Sequence, residues 1–289
     1  MATKAMARAA GEGSADRGPA RASPAGSFTR PEAIDAADSV ASLAVRAVAV
    51  VPTYNESDNL AELVKRLREA VPDIGVLVVD DASPDGTAAR ARALGEELGD
   101  VAVLERAGKL GLGSAYREGF RRALDDGADV CVQIDADLSH DPAVLPALLA
   151  NVQFGADLAI GSRYVPGGIT ASWSWRRRWL SRWGNRYAAG VLGLAVNDAT
   201  AGYRAYRASA LEVMNFETVT AEGYGFQIEM THRLVRAGGR IVEFPIEFRD
   251  RAAGDSKLSH GIVREALGLV ARLWVDDRRG RRTRRRLSG

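Results

Sequence analysis

Cysteine is almost missing from this chain of 289 residues: Cys131 stands alone, which rules out an intrachain disulfide and fits a reducing compartment. Histidine is scarce too, and His140, His232 and His260 lack the spacing of a zinc site. Lysine occurs only at Lys4, Lys65, Lys109 and Lys257, so the basic character of the chain is almost entirely arginine. No stretch approaches the roughly 18 uninterrupted apolar residues of a membrane span. The nearest, residues 260–275, is broken by Arg264, Glu265 and Arg272. Its Ile262, Ala266, Leu269, Val270 and Leu273 form a helical stripe, the signature of an amphipathic packing helix. No internal repeat is present.

Residues 1–44 are rich in Ala, Gly, Ser, Pro and Arg and have neither apolar periodicity nor the apolar core of a signal peptide. Interspersed Glu12, Asp16, Glu32, Asp35 and Asp38 speak against a transit peptide. The expected organisation is a disordered extension over 1–44, one folded domain over 45–275 and a basic tail over 276–289. That tail carries seven arginines against two aspartates and alone makes the chain basic, at a formal net charge of +2.

From residue 47 onward, short apolar runs alternate with amphipathic helices. Strands are expected at 47–51, 76–79, 101–104 and 130–134. Helices are expected between them, the first marked by Leu60, Leu63, Val64 and Leu67 at the i, i+3, i+4, i+7 spacing. A helix over 143–152, a strand at 157–160 and, after a long Arg- and Trp-rich insertion, a strand at 240–244 follow. Right-handed crossovers turn this order into a mostly parallel sheet flanked by helices on both faces, an α/β fold.

Ligands of such sheets gather at the carboxyl ends of the strands, and there the chain places its chemistry. Asp135-Ala136-Asp137 leaves the fourth apolar run, and two acidic groups two positions apart on extended backbone point the same way. Such a pair suits a hard divalent cation, Mg²⁺ or Mn²⁺; the alternative is an acidic loop capping the helix at Pro142, with Asp141 as N-cap. The first strand exits through Pro52-Thr53-Tyr54-Asn55-Glu56, where Tyr54 offers a stacking face and Glu56 an acceptor. Ser57 or Asp58 would cap the helix that follows. The second strand exits through Asp80-Asp81-Ala82-Ser83-Pro84-Asp85-Gly86-Thr87, a turn in which Asp81 can accept hydrogen bonds from a base or ribose. Lys109-Leu110-Gly111-Leu112-Gly113-Ser114-Ala115-Tyr116 leads into a helix N-terminus, a favourable place for an anion. It is no dinucleotide fingerprint: Tyr116 stands where a third small residue is required, and the loop follows the third strand.

Taken in order, these motifs, with Gly161-Ser162-Arg163-Tyr164, Asp198-x-Thr200-x-Gly202-Tyr203-Arg204, Gly223-Tyr224-x-Phe226-Gln227-x-Glu229 and Asp250-Arg251-x-x-Gly254-x-Ser256-Lys257, resemble the polyprenyl-phosphate (dolichyl-phosphate) mannose synthases. These are inverting family-two glycosyltransferases of GT-A fold, a Rossmann-like, mostly parallel sheet with amphipathic interface helices. The resemblance covers about residues 45–258. It implies that Pro52, Tyr54, Glu56, Val79 and Asp81 hold the guanosine of GDP-mannose, beside Ala136. It further implies that Asp135, Asp137 and Gln227 hold Mg²⁺ or Mn²⁺ against the diphosphate, and that Arg163, Arg251 and Lys257 contact phosphate groups. Arg163, Arg177 and Ser181 would receive the acceptor phosphate of a polyprenyl monophosphate, with Asp137 and Arg251 in catalytic roles.

Some relatives carry C-terminal transmembrane helices, whereas this chain ends in Arg278-Arg279-Gly280-Arg281-Arg282-Thr283-Arg284-Arg285-Arg286. The expectation is peripheral attachment to an anionic membrane surface at its cytoplasmic face, or help from an integral-membrane partner. Trp173, Trp175, Trp179 and Trp183 lie among Arg176, Arg177, Arg178, Arg182 and Arg186, a mixture suited to lipid headgroups; the alternative is a helix with Trp inward and Arg outward. The arginine tail also reads as a basic arm for nucleic acid, but no nucleic-acid module accompanies it, so no nucleic-acid partner is expected. The competing functions are a UDP-glucose-dependent polyprenyl-phosphate glucosyltransferase and a non-catalytic nucleotide- or lipid-binding protein.

Overall fold

Extended backbone sends alternate side chains to opposite faces, and the first strands obey this closely. In β1 (Ala47–Thr53), Val48 and Val50 enter one hydrophobic cluster while Ala47, Ala49 and Val51 enter another; in β2 (Gly75–Asp80), Leu77 and Val79 oppose Val76 and Val78. Both faces are apolar, so both must be covered. On one, α1 (Ser57–Ala70), α2 (Thr87–Leu98) and α4 (Leu145–Gln153) bury Leu60, Leu63, Leu94 and Leu148. On the other lie α3 (Leu112–Asp125), α5 (Trp175–Leu192), α7 (Gly223–Arg236) and α8 (His260–Leu287), which contribute Tyr116, Phe120, Leu192, Phe226 and Val270. The computed structural model describes residues 45–170, 173–249 and 260–287, with side chains of the last segment from 266 to 279. The expected extension over 1–44 lies outside these residues.

The seven strands run in the order β3-β2-β1-β4-β7-β5-β8, with β3 at Val101–Glu105, β4 at Val130–Gln133, β5 at Leu158–Ser162, β7 at Arg204–Arg207 and β8 at Ile241–Pro245. All pairings are parallel except those of β7, which runs antiparallel to both β4 and β5. A separate parallel pair joins β6 (Ile169–Thr170) to β9 (Glu247–Phe248), and a short helix α6 (Ala208–Val213) follows β7.

From β1 to β5 the order of strands and helices matches the sequence expectation, with ends shifted by one or two residues. The insertion expected before the strand at 240–244 folds as β6, α5, β7, α6 and α7, and the helix expected over 260–275 runs on to Leu287. Three departures have physical causes. The helix expected from residue 143 starts as a 3-10 turn, Pro142–Val144, with Asp141 Oδ1 accepting from the Ala143 amide at 3.0 Å. Neither Ser57 nor Asp58 caps α1; the Ser57 amide donates instead to Asp85 Oδ2 at 3.1 Å, so the loop after β2 closes the helix end. The central strand β7 has no apolar signature because Arg204 is fully buried in it. The Arg204 guanidinium donates to the carbonyls of Ala201 and Ala199 (2.7 Å each), to Thr231 Oγ1 (2.9 Å) and to the Tyr206 hydroxyl (3.1 Å), which satisfies the charge-bearing group inside the protein. Among the described residues no helix is long and apolar enough to cross a membrane.

Candidate active site

Three parallel strands, β1, β2 and β4, end side by side, and the loops leaving them open a cleft of about 640 Å³. Its walls bring together Pro52, Tyr54, Glu56, Asp81, Asp135 and Ala136 from the strand ends. Asp137, Arg163, Arg177 and Gln227 complete it from elements that follow. A volume of this order accommodates a small-molecule ligand.

Asp135 and Asp137 share the cleft, just beyond the last residue of β4, Gln133; Asp137 lies in a turn, and Leu138 after it takes a φ of 58°. A left-handed conformation at a leucine is strained, and strain of this kind persists where the surroundings impose it. The Tyr116 hydroxyl donates to Asp135 Oδ1 at 3.0 Å; burial, then the neighbouring Asp135 charge, push the Tyr116 pKa well above its ordinary value and keep it a donor. Asp137 Oδ1 accepts from the Ser139 amide at 3.0 Å. From α7, Gln227 lines the same cleft, and its buried Oε1 has no hydrogen-bond partner among the described residues. Among those residues no cluster of three or more His, Cys, Asp or Glu forms a metal cage. Two carboxylates plus an orphaned amide oxygen are nonetheless hard donors of the type that Mg²⁺ and Mn²⁺ take, so this set fits such an ion.

At the neighbouring strand ends, Lys109 Nζ stands 3.8 Å from the centroid of the Tyr54 ring, and Glu56 Oε2 accepts from Asn59 Nδ2 at 2.9 Å. The Asp81 carboxylate is buried against Arg106, with Nη1 2.6 Å from Oδ1, and its Oδ2 accepts from the Leu110 amide at 3.1 Å. Val79 is fully buried and its side chain packs in the core, which leaves only its backbone for a ligand. The helix N-terminus expected to attract an anion already holds one: the Glu222 carboxylate caps α3 from the loop before α7. Arg251 and Lys257 lie outside the described residues.

The other end of the cleft is basic. Arg163, on the strand exit of β5, donates from Nε and Nη2 to the two oxygens of Asp198, at 2.7 Å each, and from Nη2 to Thr200 Oγ1 at 2.9 Å. Burial opposes the Arg163 charge, but the Asp198 carboxylate outweighs it and raises the guanidinium pKa above its ordinary value; Arg163 in turn holds Asp198 below its own despite burial. Nη1 is engaged by neither Asp198 nor Thr200. The Arg177 guanidinium lies 4.0 Å over the Trp173 ring, and Ser181 Oγ accepts from the Tyr164 hydroxyl at 2.6 Å. All three predicted acceptor residues border a second, mostly apolar cavity of about 110 Å³ between α5, α7 and α8, walled by Leu180, Trp183, Ile228 and Val270. The tryptophans divide. Trp175, Trp179 and Trp183 are 67%, 63% and 46% exposed on α5, whereas Trp173 is 6% exposed and packs edge-on against Phe248.

Residues 48–214, more than half of the chain, match the sequence profile of glycosyl transferase family 2. This chain belongs to that family. The glycosyltransferase is 50% identical over 228 residues to an undecaprenyl-phosphate mannosyltransferase of Micrococcus luteus, covering 79% of this chain and 93% of that protein. It is 48% identical over 242 residues to a polyprenol monophosphomannose synthase of Mycolicibacterium smegmatis, covering 83% and 90%. A dolichol-phosphate mannosyltransferase of Pyrococcus furiosus is 36% identical over 230 residues, covering 78% of this chain and 62% of that protein. The resemblance carried by the motifs is therefore borne out. In fold, the glycosyltransferase is similar to glucosyl-3-phosphoglycerate synthase from Mycobacterium tuberculosis solved with Mn²⁺, UDP-glucose and phosphoglyceric acid. The TM-score is 0.59 at 21% identity over 80% of each chain. The GT-A expectation for the sheet and its helices holds.

Several pairings that fix the cleft residues of this glycosyltransferase gave no local signal. Arg106 follows β3 and meets Asp81 across 25 positions, Asp198, which the sequence showed only as part of a motif, meets Arg163 across 35, and Glu222 meets Gly113 across 109. Pairings of that range are set by the sheet order, which the chain order alone does not reveal.

Proposed function

We propose that this glycosyltransferase moves mannose from GDP-mannose to a polyprenyl monophosphate with inversion, giving polyprenyl phosphate β-mannose. The observation that carries the reading is one cleft with two chemically opposite ends. Oxygen donors Asp135, Asp137 and Gln227 stand at one end; at the other, Arg163 and Arg177 lead into an apolar cavity bordered by Ser181. The names of the relatives point to the same class of substrates.

Asp135, Asp137 and Gln227 would hold Mg²⁺ or Mn²⁺, which when bound supplies charge neutralisation for the departing diphosphate. Pro52, Tyr54, Glu56, Asp81 and Ala136 line the nucleotide end, with the backbone of Val79, and Arg251 and Lys257 complete the phosphate contacts. The acceptor phosphate has a second pKa of about 6 and is already largely ionised near neutrality. It needs alignment more than a base. Arg163, fixed by Asp198 and Thr200, and Arg177, stacked on Trp173, align it against the anomeric carbon, and preorganised charges of this kind lower the barrier without reorganisation. Displacement is direct and leaves no sugar on the enzyme.

Residues 45–275 carry this activity, with 1–44 as an extension and 276–289 as a basic tail. The exposed Trp175, Trp179 and Trp183 face lipid headgroups, so attachment is peripheral, at the cytoplasmic face, alone or with an integral-membrane partner. The test is to incubate the purified protein with polyprenyl phosphate, Mg²⁺ and either GDP-mannose or UDP-glucose. Lipid-linked sugar from GDP-mannose alone is expected; product from UDP-glucose alone would overturn the donor assignment.

A further inference from the structure

A notch opens in the cleft beside Gly202. A Cβ built there would stand 3.3 Å from Asp135 Oδ2 and 3.4 Å from His140 Nε2, so the room a methyl group would fill is bounded by a carboxylate oxygen and an imidazole nitrogen. The backbone of Gly202 is not in the left-handed region, so its conformation does not demand glycine. What glycine provides at this position is space.

His140 is built into the wall. It is 3% exposed, its ring lies 5.4 Å from that of Tyr203 and 5.3 Å edge-on from that of Phe248, and its backbone bridges to Phe248. Its buried Nδ1 has no hydrogen-bond partner among the described residues. His140 lines the same cleft as Asp137 and Arg163. The Asp135 carboxylate repels an anionic group from the notch. A neutral group that both donates and accepts suits it: a hydroxyl can donate to Asp135 Oδ2 and accept from the imidazole N–H.

We propose that His140 and the space at Gly202 form a hydroxyl-binding subsite for the transferred hexose, making His140 a specificity-determining contact to the sugar rather than to the nucleotide. This rests on the reading of the cleft given above, in which the diphosphate and the acceptor phosphate occupy its two ends and the hexose lies between them.

Calorimetric titration of GDP and of GDP-mannose, with Mg²⁺ present, into wild type, His140→Phe and Gly202→Ala tests it. Phe keeps the aromatic packing against Tyr203 and Phe248, and thermal melts confirm that each variant is folded. The expected result is GDP affinity within about twofold of wild type and GDP-mannose affinity about tenfold weaker in His140→Phe, the loss of one neutral hydrogen bond, and at least as weak in Gly202→Ala, where the contact to Asp135 is lost as well. A His140→Gln variant should recover part of that loss. The proposal is overturned if both variants bind GDP-mannose as wild type does, or lose GDP and GDP-mannose equally. Failure of wild type itself to bind GDP-mannose would reject the underlying donor reading, and this inference with it.

Discussion

Glu222 Oε2 accepts from the Gly113 amide at 2.6 Å, and its Oε1 accepts from the Ser114 amide at 3.1 Å. A side chain from the loop before α7 therefore supplies the counter-charge for the α3 N-terminus and clasps two walls of the cleft together. Neighbouring Gly111 has a φ of 107°, and a Cβ there would lie 2.6 Å from Glu222 Oε2.

From that relationship, Glu222→Gln should lower stability by about 0.5–1 kcal/mol through the lost charge–dipole attraction. Gly111→Ala should cost about 1–3 kcal/mol through backbone strain, with the clash added. Denaturant unfolding measures both. A Gly111→Ala protein as stable as wild type would show that the clasp does not fix the loop.

The Arg163–Asp198 pair is buried on both sides, with side chains 6% and 0% exposed. Asp198→Ala leaves a guanidinium without its counter-charge and should cost about 3–5 kcal/mol. The double replacement Arg163→Met with Asp198→Leu should recover most of that stability yet remain inactive, because the group proposed to align the acceptor phosphate is gone. Wild-type turnover by the folded double variant would remove Arg163 from the acceptor site.

On α5 the outward tryptophans give a lipid-binding prediction. Trp175→Ala with Trp179→Ala removes exposed indoles without opening the core, so melting should be unchanged while recovery on anionic vesicles and turnover of long-chain acceptor fall. Unchanged vesicle binding would count against this face as the membrane contact.

Burial pushes the Cys131 thiol up to about 12. In the unfolded chain it ionises near 8.5, its ordinary value of about that size. A raised folded pKa adds stability that is complete below the unfolded value and is lost as pH rises toward the folded one. Stability of wild type should therefore fall relative to Cys131→Val between about pH 9 and pH 12. Iodoacetamide at pH 8 should spare Cys131 until urea unfolds the chain. Rapid labelling of the native protein would contradict the burial.

The parallel half of the sheet was legible because β1, β2 and β4 are apolar on both faces, and their helices repeat apolar residues at the helical spacing. The cleft-lining strand-end residues Tyr54, Asp81, Asp135 and Asp137 were legible for the same reason: a buried strand that ends in polar residues announces a ligand edge. β7 was hidden because its defining side chain is a buried arginine, whose hydrogen-bond partners, Tyr206 apart, lie outside the strand. The anion at α3 was misread because a helix N-terminus looks alike whether a ligand or Glu222 occupies it. Trp173 went unseparated from Trp175, Trp179 and Trp183 because it precedes the helix and pairs with Phe248, 75 positions away by number.

The most direct test of the account is mannosyl transfer from GDP-mannose to polyprenyl phosphate by wild type and by Asp137→Asn, each with Mg²⁺, with Mn²⁺ and with chelator. The account predicts lipid-linked mannose from wild type only when a divalent cation is present, and at least about a hundredfold less from the folded Asp137→Asn protein. Equal transfer in chelator, or wild-type turnover by Asp137→Asn, would contradict it.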